Sequence, residues 1–384
     1  MDCNLFALHE AIDYLKAMIA IPSVTGNERN VGEYIEEQLR SFGVDEVHRQ
    51  PVSETNFNVV ASIQGAKPGP SVLLTGHMDT VDVSDGWDSD PFTAREEDGR
   101  IFGRGANDMK SGIAVILTVA HSLCQHREQL CGTVQIAFVV DEERFSTGAC
   151  ALLENGLSAD FALSAEPAFD TLIIGAVGKV LISVDITGKT AHGSEPENGI
   201  NAITDAARFT AALDTLDLHS APPMNAQPYV PLKINGGKAE YSIDIPDKCS
   251  MLINKQMVPG ETAESIIIAL EKLVAELKLR SKFEFKLEPP HYPPFAVDTQ
   301  LPYLQKLVES YREVVGITPQ LGYDDGVSDN NYYAAVANIP TICLGPTGEG
   351  MHADNEWVSI AEIKAVGQIY LKFLLAKHDS IELR

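Results

Sequence analysis

The chain has 384 residues, and its 54 acidic side chains outnumber its 29 basic ones, which gives a formal net charge of −25 at pH 7. This charge opposes binding to nucleic acids or to an anionic membrane surface, because phosphate groups are held by clusters of Lys and Arg. Hydrophobic residues make up 45% of the chain and charged residues 22%, which is enough apolar material for packed cores and excludes a disordered protein.

The N-terminal segment lacks the features of a secretory signal, since Asp2 and Glu10 precede the first lysine, Lys16. No apolar run reaches the 18 or so residues of a membrane-spanning helix, and we expect no membrane partner. The six cysteines include no CxxC pair, and we expect mostly buried, reduced thiols rather than disulfides. These features favour a cytoplasmic protein.

The first 170 residues alternate between helical and strand patterns. The spacing of Val31, Ile35 and Leu39 predicts an amphipathic helix over residues 28–42, and Ser111–Leu123 reads as another helix. Apolar runs predict buried strands at residues 57–63, 71–76, 133–140 and 160–165. Buried strands separated by helices indicate an α/β domain with a central mixed, mostly parallel sheet flanked by helices.

The pattern changes after Pro167. Residues 172–188 predict two strands, and helices follow over Asn198–Leu213 and Thr262–Leu279, in the order strand-helix-strand-strand-helix-strand. We therefore expect a smaller α+β domain at residues 176–290, inserted into a domain made of residues 1–175 and 291–384. The last segment is predicted to contain helices at 301–315 and 359–376 and a buried strand at 341–345.

His77 and Asp79 follow the predicted strand at 71–76. Residues two apart on an extended chain share a face, and a metal-bound imidazole usually donates its other N–H to a carboxylate. The pair therefore suits a metal ligand and its orienting acid. Taken alone, the pattern is more often a buried histidine beside an acid.

Acids follow the next predicted strands: Glu142 and Glu143 after 133–140, and Glu166 after 160–165. Adjacent carboxylates at the end of a buried strand repel unless a cation or a shared proton compensates them; the alternative is an exposed acidic turn. Because ligands bind at the carboxyl ends of strands in open α/β sheets, we expect these acids to converge with His77.

Two glycine-rich segments add Asp108, within residues 101–112, and His352, after the predicted strand at 341–345. An acid in a glycine-rich turn suits a cation better than a phosphate, although alone it reads as a capping residue. Two imidazoles with several carboxylates suit Zn²⁺, Co²⁺ or Mn²⁺, and two ions rather than one. Such a site makes hydroxide at neutral pH, and Glu142 could carry its proton to a leaving amine.

Together the motifs resemble those of the acetylornithine deacetylase, succinyl-diaminopimelate desuccinylase and carboxypeptidase G family of dinuclear zinc amidohydrolases and peptidases. The resemblance runs in order through GHMDTVDV, WDSDPF, DGRIFGRGANDMKSG, VVDEE, SAEP, TAHGSEPENGINA, GVSD and GPTGEGMHADNE, and so spans nearly the whole chain. It implies a zinc-peptidase-like catalytic domain that binds two Zn²⁺ ions per chain, with Co²⁺ or Mn²⁺ as substitutes.

The resemblance also implies a ligand set. Asp108 would bridge the two metal ions and be followed by a cis peptide bond. His77 and Glu166 would hold one ion. Glu143 and His352 would hold the other.

The remaining roles follow from the same resemblance. Glu142 would be the general acid/base, and Asp79 would orient His77. The inserted domain would be a lid and dimerisation domain, from which His192 reaches into the partner subunit's site and stabilises the oxyanion. From its own surroundings in sequence, His192 reads as a solvent-exposed loop residue.

The chain departs from the family where an arginine can bind a substrate carboxylate. Asn254 and Gln256 stand in place of the usual Asp-x-Arg. The loss of a guanidinium removes charge-assisted hydrogen bonds of roughly 1.5–3 kcal/mol and argues against a succinylated substrate. Lys179, Lys255 and Arg104 remain as cations, and we expect each at the solvated surface.

The leading hypothesis is therefore deacylation of an N-acyl, acetyl-type amino acid by a homodimeric enzyme. A dipeptidase or carboxypeptidase is the closest alternative, and its substrate would be a small peptide. A metal-free binding protein is the second alternative, against which the intact ligand set and Glu142 count. A two-metal phosphohydrolase would need basic residues that hold phosphate beside the ligands, and we expect none in that role.

Overall fold

A computed structural model of the chain describes residues 5–225 and 227–376. The described residues divide into two compact units. The large unit comprises residues 5–175, 296–322 and 328–376, and the small unit comprises residues 176–295 and 323–327. The small unit is therefore inserted into the large one, and its function as a lid stays a prediction.

The strands and α-helices of both units are numbered here in chain order. The strands are β1 (Glu46–Pro51), β2 (Phe57–Gln64), β3 (Lys67–His77), β4 (Arg95–Glu97), β5 (Arg100–Phe102), β6 (Cys131–Val139), β7 (Phe161–Ser164), β8 (Ala168–Ala176), β9 (Gly178–Thr187), β10 (Tyr229–Gly236), β11 (Lys248–Met257), β12 (Lys282–Tyr292), β13 (Phe295–Ala296), β14 (Gln320–Asp324), β15 (Thr341–Gly345), β16 (Gly348–Glu349) and β17 (Trp357–Ser359). The helices are α1 (Leu8–Ile19), α2 (Arg29–Phe42), α3 (Ser111–Gln125), α4 (Thr147–Glu154), α5 (Ala202–Ala212), α6 (Ala263–Glu276), α7 (Pro302–Val315), α8 (Asp329–Asn331) and α9 (Ile360–Leu374).

The main sheet of the large unit is mixed. Its strand order is β1-β2-β6-β3-β7-β15-β8-β13, and β14 also pairs with β8. Strands β6, β3, β7 and β15 pair in parallel, whereas β2 pairs antiparallel to β6 and β8 antiparallel to β15. The predicted α/β fold class is confirmed, and the four central strands of the sheet pair in parallel.

Both faces of this sheet are covered, because successive side chains of a strand point to opposite faces. Leu73 of β3 packs with residues of α4 and with Tyr333. Gly76, on the other face of the same strand, lies against Met109 and Ile113 of the α3 region. Helix α3 is buried along most of its length and packs against α1, α2 and α9.

A second, antiparallel sheet of the large unit has the order β16-β17-β5-β4. In it Trp357 pairs with Phe102 and Val358 with Ile101. This pairing joins the chain that follows His352 to the chain that precedes Asp108.

The small unit has an antiparallel sheet in the order β10-β11-β9-β12. One face packs on α5 and α6, in a core that includes Ile182, Phe209 and Leu270. The element order β9-α5-β10-β11-α6-β12 is the predicted strand-helix-strand-strand-helix-strand pattern.

No helix within residues 5–225 and 227–376 is long and apolar enough to cross a membrane. The cysteines in these ranges are free thiols, of which Cys249 and Cys343 are buried and Cys124, Cys131 and Cys150 half-buried. Cys3 lies outside the described residues.

Candidate metal centre

The predicted ligands converge because parallel strands end at one edge of the sheet. His77 is the last residue of β3 and pairs with Val139, the last residue of β6. Glu143 follows β6 a few residues later. Glu166 follows Ser164, which ends β7 on the other side of β3 and pairs with Thr75.

Asp108 lies between the two histidines. Its Oδ1 is 3.0 Å from Nε2 of His77, and its Oδ2 is 3.2 Å from Nε2 of His352. Nε2 of His77 is also 3.5 Å from Oε1 of Glu166, and Nε2 of His352 is 3.0 Å from Oε2 of Glu143. The structure thus brings together all five predicted ligands in two groups that share Asp108. The peptide bond between Asp108 and Met109 is cis, as the resemblance implied.

The donor set fits a divalent cation. Two ligand atoms bound tetrahedrally to one Zn²⁺ lie about 3.3–3.6 Å apart, which is close to the separations of 3.0–3.5 Å found here. One ligand atom each from His77, Asp108 and Glu143 can be chosen so that all three lie within 4.8 Å of one another. Imidazole and carboxylate donors without thiolate suit Zn²⁺ and Mn²⁺.

Asp79 supports the histidine from a buried position. Nδ1 of His77 is 2.9 Å from the backbone oxygen of Asp79 and 3.5 Å from its Oδ1. The backbone carbonyl is therefore the nearer partner of the imidazole. The Asp79 carboxylate accepts hydrogen bonds from the backbone N–H groups of Glu142 at 3.1 Å and of Glu143 at 3.2 Å. One residue thus ties His77 to the segment that carries Glu143.

The charges of the centre raise the pKa values of its two histidines and lower the pKa of Asp108. Burial is the largest effect on the pKa of His77 and lowers it, but Glu166, Asp108 and Asp79 together raise it well above its usual range. Burial would raise the pKa of Asp108, but its hydrogen bonds with His352 and His77 hold it well below its usual range. Hydrogen bonds with Asp108 and Glu143 raise the pKa of His352 to about 10. The two histidines thus supply the positive charge that balances the carboxylates.

Two acids of the centre, Glu142 and Glu166, have pKa values above the usual range of a carboxyl group. Burial raises the pKa of Glu166 to about 7. Burial, followed by the charges of Glu166, Asp329 and Glu143, raises the pKa of Glu142 well above its usual range, although His77 lowers it. A carboxyl with a raised pKa can take up and release a proton, which is the property of a general acid/base.

Two further acids belong to the centre and were not singled out from the sequence. Asp329 of GVSD is buried, and burial raises its pKa to about 7. Glu356 of GPTGEGMHADNE is buried and accepts a hydrogen bond from the backbone N–H of Asp108 at 2.9 Å. Both lie inside motifs that carry the resemblance, which was the only signal for them.

His192 belongs to the small unit and is exposed. Its Nδ1 lies 2.7 Å from Oγ of Ser194, and its backbone bridges to Asp244. It is not among the residues that form the centre of the large unit, and its predicted action in a partner subunit stays a prediction.

The expectation that Arg104 and Lys255 lie at the solvated surface was wrong, because both are buried. Nη1 of Arg104 pairs with Oε2 of Glu356 at 2.8 Å, and Nζ of Lys255 pairs with Oε2 of Glu261 at 3.2 Å. Each cation is buried because it neutralises a carboxylate that would otherwise be buried alone. Lys179 of β9 is half-buried.

Known proteins match this chain over most of its length. A sequence profile described as "Peptidase family M20/M25/M40" matches residues 73–376. The succinyl-diaminopimelate desuccinylase of Sulfurimonas denitrificans is 27% identical over 372 residues, which cover 94% of this chain and 98% of that protein. The acetylornithine deacetylase of Proteus mirabilis is 28% identical over 390 residues, which cover 95% of this chain and 97% of that protein.

Solved structures share the fold. A tripeptidase from Staphylococcus aureus superposes with a TM-score of 0.77 at 23% identity, covering 97% of this chain and 98% of that chain. An M20 family metallo-carboxypeptidase from Sulfolobus solfataricus gives a TM-score of 0.74 at 16% identity, covering 95% and 98%.

Proposed function

Since the chain belongs to peptidase family M20/M25/M40, we propose that it is a dinuclear metal-dependent hydrolase that removes an acetyl-type acyl group from an N-acyl amino acid. The observation that carries the proposal is the position of Asp108, whose two oxygens face two different histidines, His77 and His352. A carboxylate in that position suits two cations at once. The deacylases among the relatives support the amide of an acylated amine as the bond that is cleaved.

Each ligand has a proposed partner ion. His77 and Glu166 would hold one ion, Glu143 and His352 the other, and Asp108 would bridge them. Two Zn²⁺ ions, or Co²⁺ or Mn²⁺ in their place, would when bound activate a water molecule and polarise the carbonyl of the amide.

Glu142 is proposed to move the proton. The water oxygen bonds to the carbonyl carbon, Glu142 takes the proton that the water loses, and the same carboxyl gives it to the amide nitrogen as the C–N bond breaks. The products are a carboxylic acid and an amine, which at neutral pH exchange a proton to give a carboxylate and an ammonium ion. Two observations support this role: the backbone of Glu142 is held by Asp79 next to the ligand Glu143, and the pKa of Glu142 is raised, chiefly by burial.

Desuccinylases and a deacetylase are similar to this chain to the same degree, so the choice of acyl group depends on which cations of this chain can bind a second carboxylate. A succinyl group presents a second carboxylate that needs a cation. Arg104 and Lys255 are buried in ion pairs, and Nε2 of Gln256 donates to the backbone oxygen of Asp325 at 2.7 Å. These residues therefore favour an acyl group without a second charge.

We also propose that the chain forms a homodimer through the small unit, with His192 acting in the partner's centre. Strand β10 lies at one edge of its sheet, and Leu232 and Ile234 are 55% and 50% exposed. Exposed apolar side chains on an edge strand are typical of an interaction surface. Leu232→Glu should yield monomers in light scattering, whereas Ile268→Glu, at a position of α6 that is 63% exposed, should not. A fully active wild-type monomer would contradict both the dimer and the role of His192.

The function is tested by amine release from a substrate panel with zinc-reconstituted protein. The panel holds N-acetyl, N-formyl and N-succinyl amino acids together with dipeptides, since the same centre could cleave a peptide bond. We expect N-acetyl substrates to react fastest, Glu142→Gln to lower kcat by roughly 10²–10⁴, and Glu154→Gln, at an exposed position of α4, to change nothing. Preferential cleavage of dipeptides would favour the peptidase. A protein that binds no metal would overturn the proposal.

A further inference from the structure

Glu356 is a buried carboxylate, 1% exposed, that follows His352 by four positions. Its Oε1 accepts hydrogen bonds from the backbone N–H groups of Asn107 at 2.8 Å and Asp108 at 2.9 Å. Its Oε2 accepts from the N–H of Gly105 and from Nη1 of Arg104, both at 2.8 Å. All four donors belong to residues 104–108, so one side chain holds the segment that presents Asp108.

The main chain adds to this attachment. The N–H of Gly103 donates to the backbone oxygen of Glu356 at 3.0 Å, and the next residue, Trp357, pairs with Phe102. The segment that follows His352 is thereby joined to the segment that carries Asp108. Asp108 and His352, two proposed metal ligands from distant parts of the sequence, are thus positioned by the same contact between their segments.

The irregular backbone around Asp108 needs an acceptor of this kind. Asp108 has φ −117° and ψ 99°, outside the helical range. A buried N–H group without an acceptor is costly. A carboxylate offers two oxygens with about four acceptor sites and no donor. Each oxygen of Glu356 accepts from two donors. If glutamine replaced Glu356, its NH₂ group would face one of these pairs of donors in either orientation of the amide and could not accept from them.

We propose that Glu356 is a positioning residue of the metal centre. By fixing the backbone of residues 105–108 it directs one oxygen of Asp108 toward His77 and the other toward His352, so that a single carboxylate can serve two metal ions. Arg104 neutralises Glu356 and also makes a contact of its own, since its Nη2 donates a hydrogen bond to the backbone oxygen of Asp82 at 3.3 Å. The inference rests on the proposed dinuclear centre.

The test is zinc binding to metal-free Glu356→Gln, followed by competition with a chromophoric chelator and by the visible spectrum of the Co²⁺-substituted protein. We expect the affinity for at least one of two ions to fall about 10–100-fold and the Co²⁺ spectrum to change. Asp205→Asn is the matched control, since the buried Asp205 also accepts two backbone N–H bonds, from Arg280 at 3.1 Å and Ser281 at 2.8 Å. It should bind both ions as wild type does.

The double variant Arg104→Met/Glu356→Gln separates positioning from charge balance. If Glu356 only neutralises Arg104, removing both charges restores zinc affinity and overturns the inference. If Glu356 positions the Asp108 segment, the double variant regains thermal stability relative to Glu356→Gln and still binds zinc weakly. Wild-type zinc affinity in Glu356→Gln, or failure of both variants to fold, would also overturn it. Failure of the proposed dinuclear centre can be told apart from failure of this inference, because the wild-type protein itself would then bind fewer than two ions.

Discussion

The hydroxyl of Thr25 donates a hydrogen bond of 2.9 Å to Oδ2 of Asp79, and both side chains are buried. The same carboxylate accepts the N–H groups of Glu142 and Glu143 and lies 3.5 Å from Nδ1 of His77. Asp79 therefore joins three parts of the chain, two of which carry proposed metal ligands, His77 and Glu143.

Asp79→Asn should weaken zinc binding by about 10–100-fold, because residues that orient metal ligands contribute that much to affinity. The amide would turn its NH₂ group toward at least one N–H donor. Competition with a chromophoric chelator measures the change. Thr25→Ser keeps the hydroxyl and should bind zinc as wild type does; zinc affinity unchanged in Asp79→Asn would show that the backbone carbonyl alone orients His77.

The metal-free protein should lose stability as the pH rises from about 4 to 7. Burial raises the pKa of Asp329 to about 7, so the folded state keeps a proton that the unfolded chain releases near pH 4. The unfolded state then binds fewer protons, and the free energy of unfolding falls with increasing pH. Glu142 and Glu166, whose pKa values are also raised, act in the same direction.

Asp329→Asn should flatten this pH dependence without abolishing it, because the other two acids remain. Urea unfolding of metal-free protein at pH 5 and pH 8 measures the difference, and Asp170→Asn, at an exposed position, is the control. An identical pH dependence in wild type and Asp329→Asn would mean that Asp329 is ionised in the folded protein.

Gly112→Ala should destabilise the protein by about 1–3 kcal/mol, which is the usual cost of overpacking. A Cβ atom at Gly112 would lie 2.2 Å from the backbone oxygen of Ala165, the residue before the proposed ligand Glu166. Thermal unfolding measures the loss. In Gly32→Ala the nearest atom is the ring of Phe57 at 3.2 Å, which can move, so this control should cost less. Equal costs would show that the backbone at Ala165 shifts freely.

The sequence predicted those elements whose side-chain periodicity is complete. The predicted helix at 28–42 corresponds to α2, and the apolar run at 133–140 overlaps β6. Helix α4 was not predicted because it has only eight residues, includes Gly148 and begins after Ser146, whose φ is 52° and whose side chain provides no cap. Its position depends on packing against Tyr333, which no local pattern reports.

The candidate ligands were predictable because each follows a strand or a glycine-rich turn, and their order matches a known family. The contacts that hold these ligands in place were not predictable. Glu356 accepts hydrogen bonds from backbone N–H groups, which every residue except proline possesses and no sequence pattern distinguishes. The burial of Arg104 was missed for the same reason, since its partner Glu356 lies far away in the sequence.

The insertion of the small unit has a consequence for biosynthesis. His77, Asp108, Glu143 and Glu166 leave the ribosome before the small unit, and His352 and Glu356 leave it afterwards. A nascent chain that ends before residue 341 has β7 without its neighbour β15 and Asp108 without the carboxylate of Glu356. The full set of proposed ligands therefore exists only after His352 has been synthesised, and termination before that point leaves a product with four of the five proposed ligands.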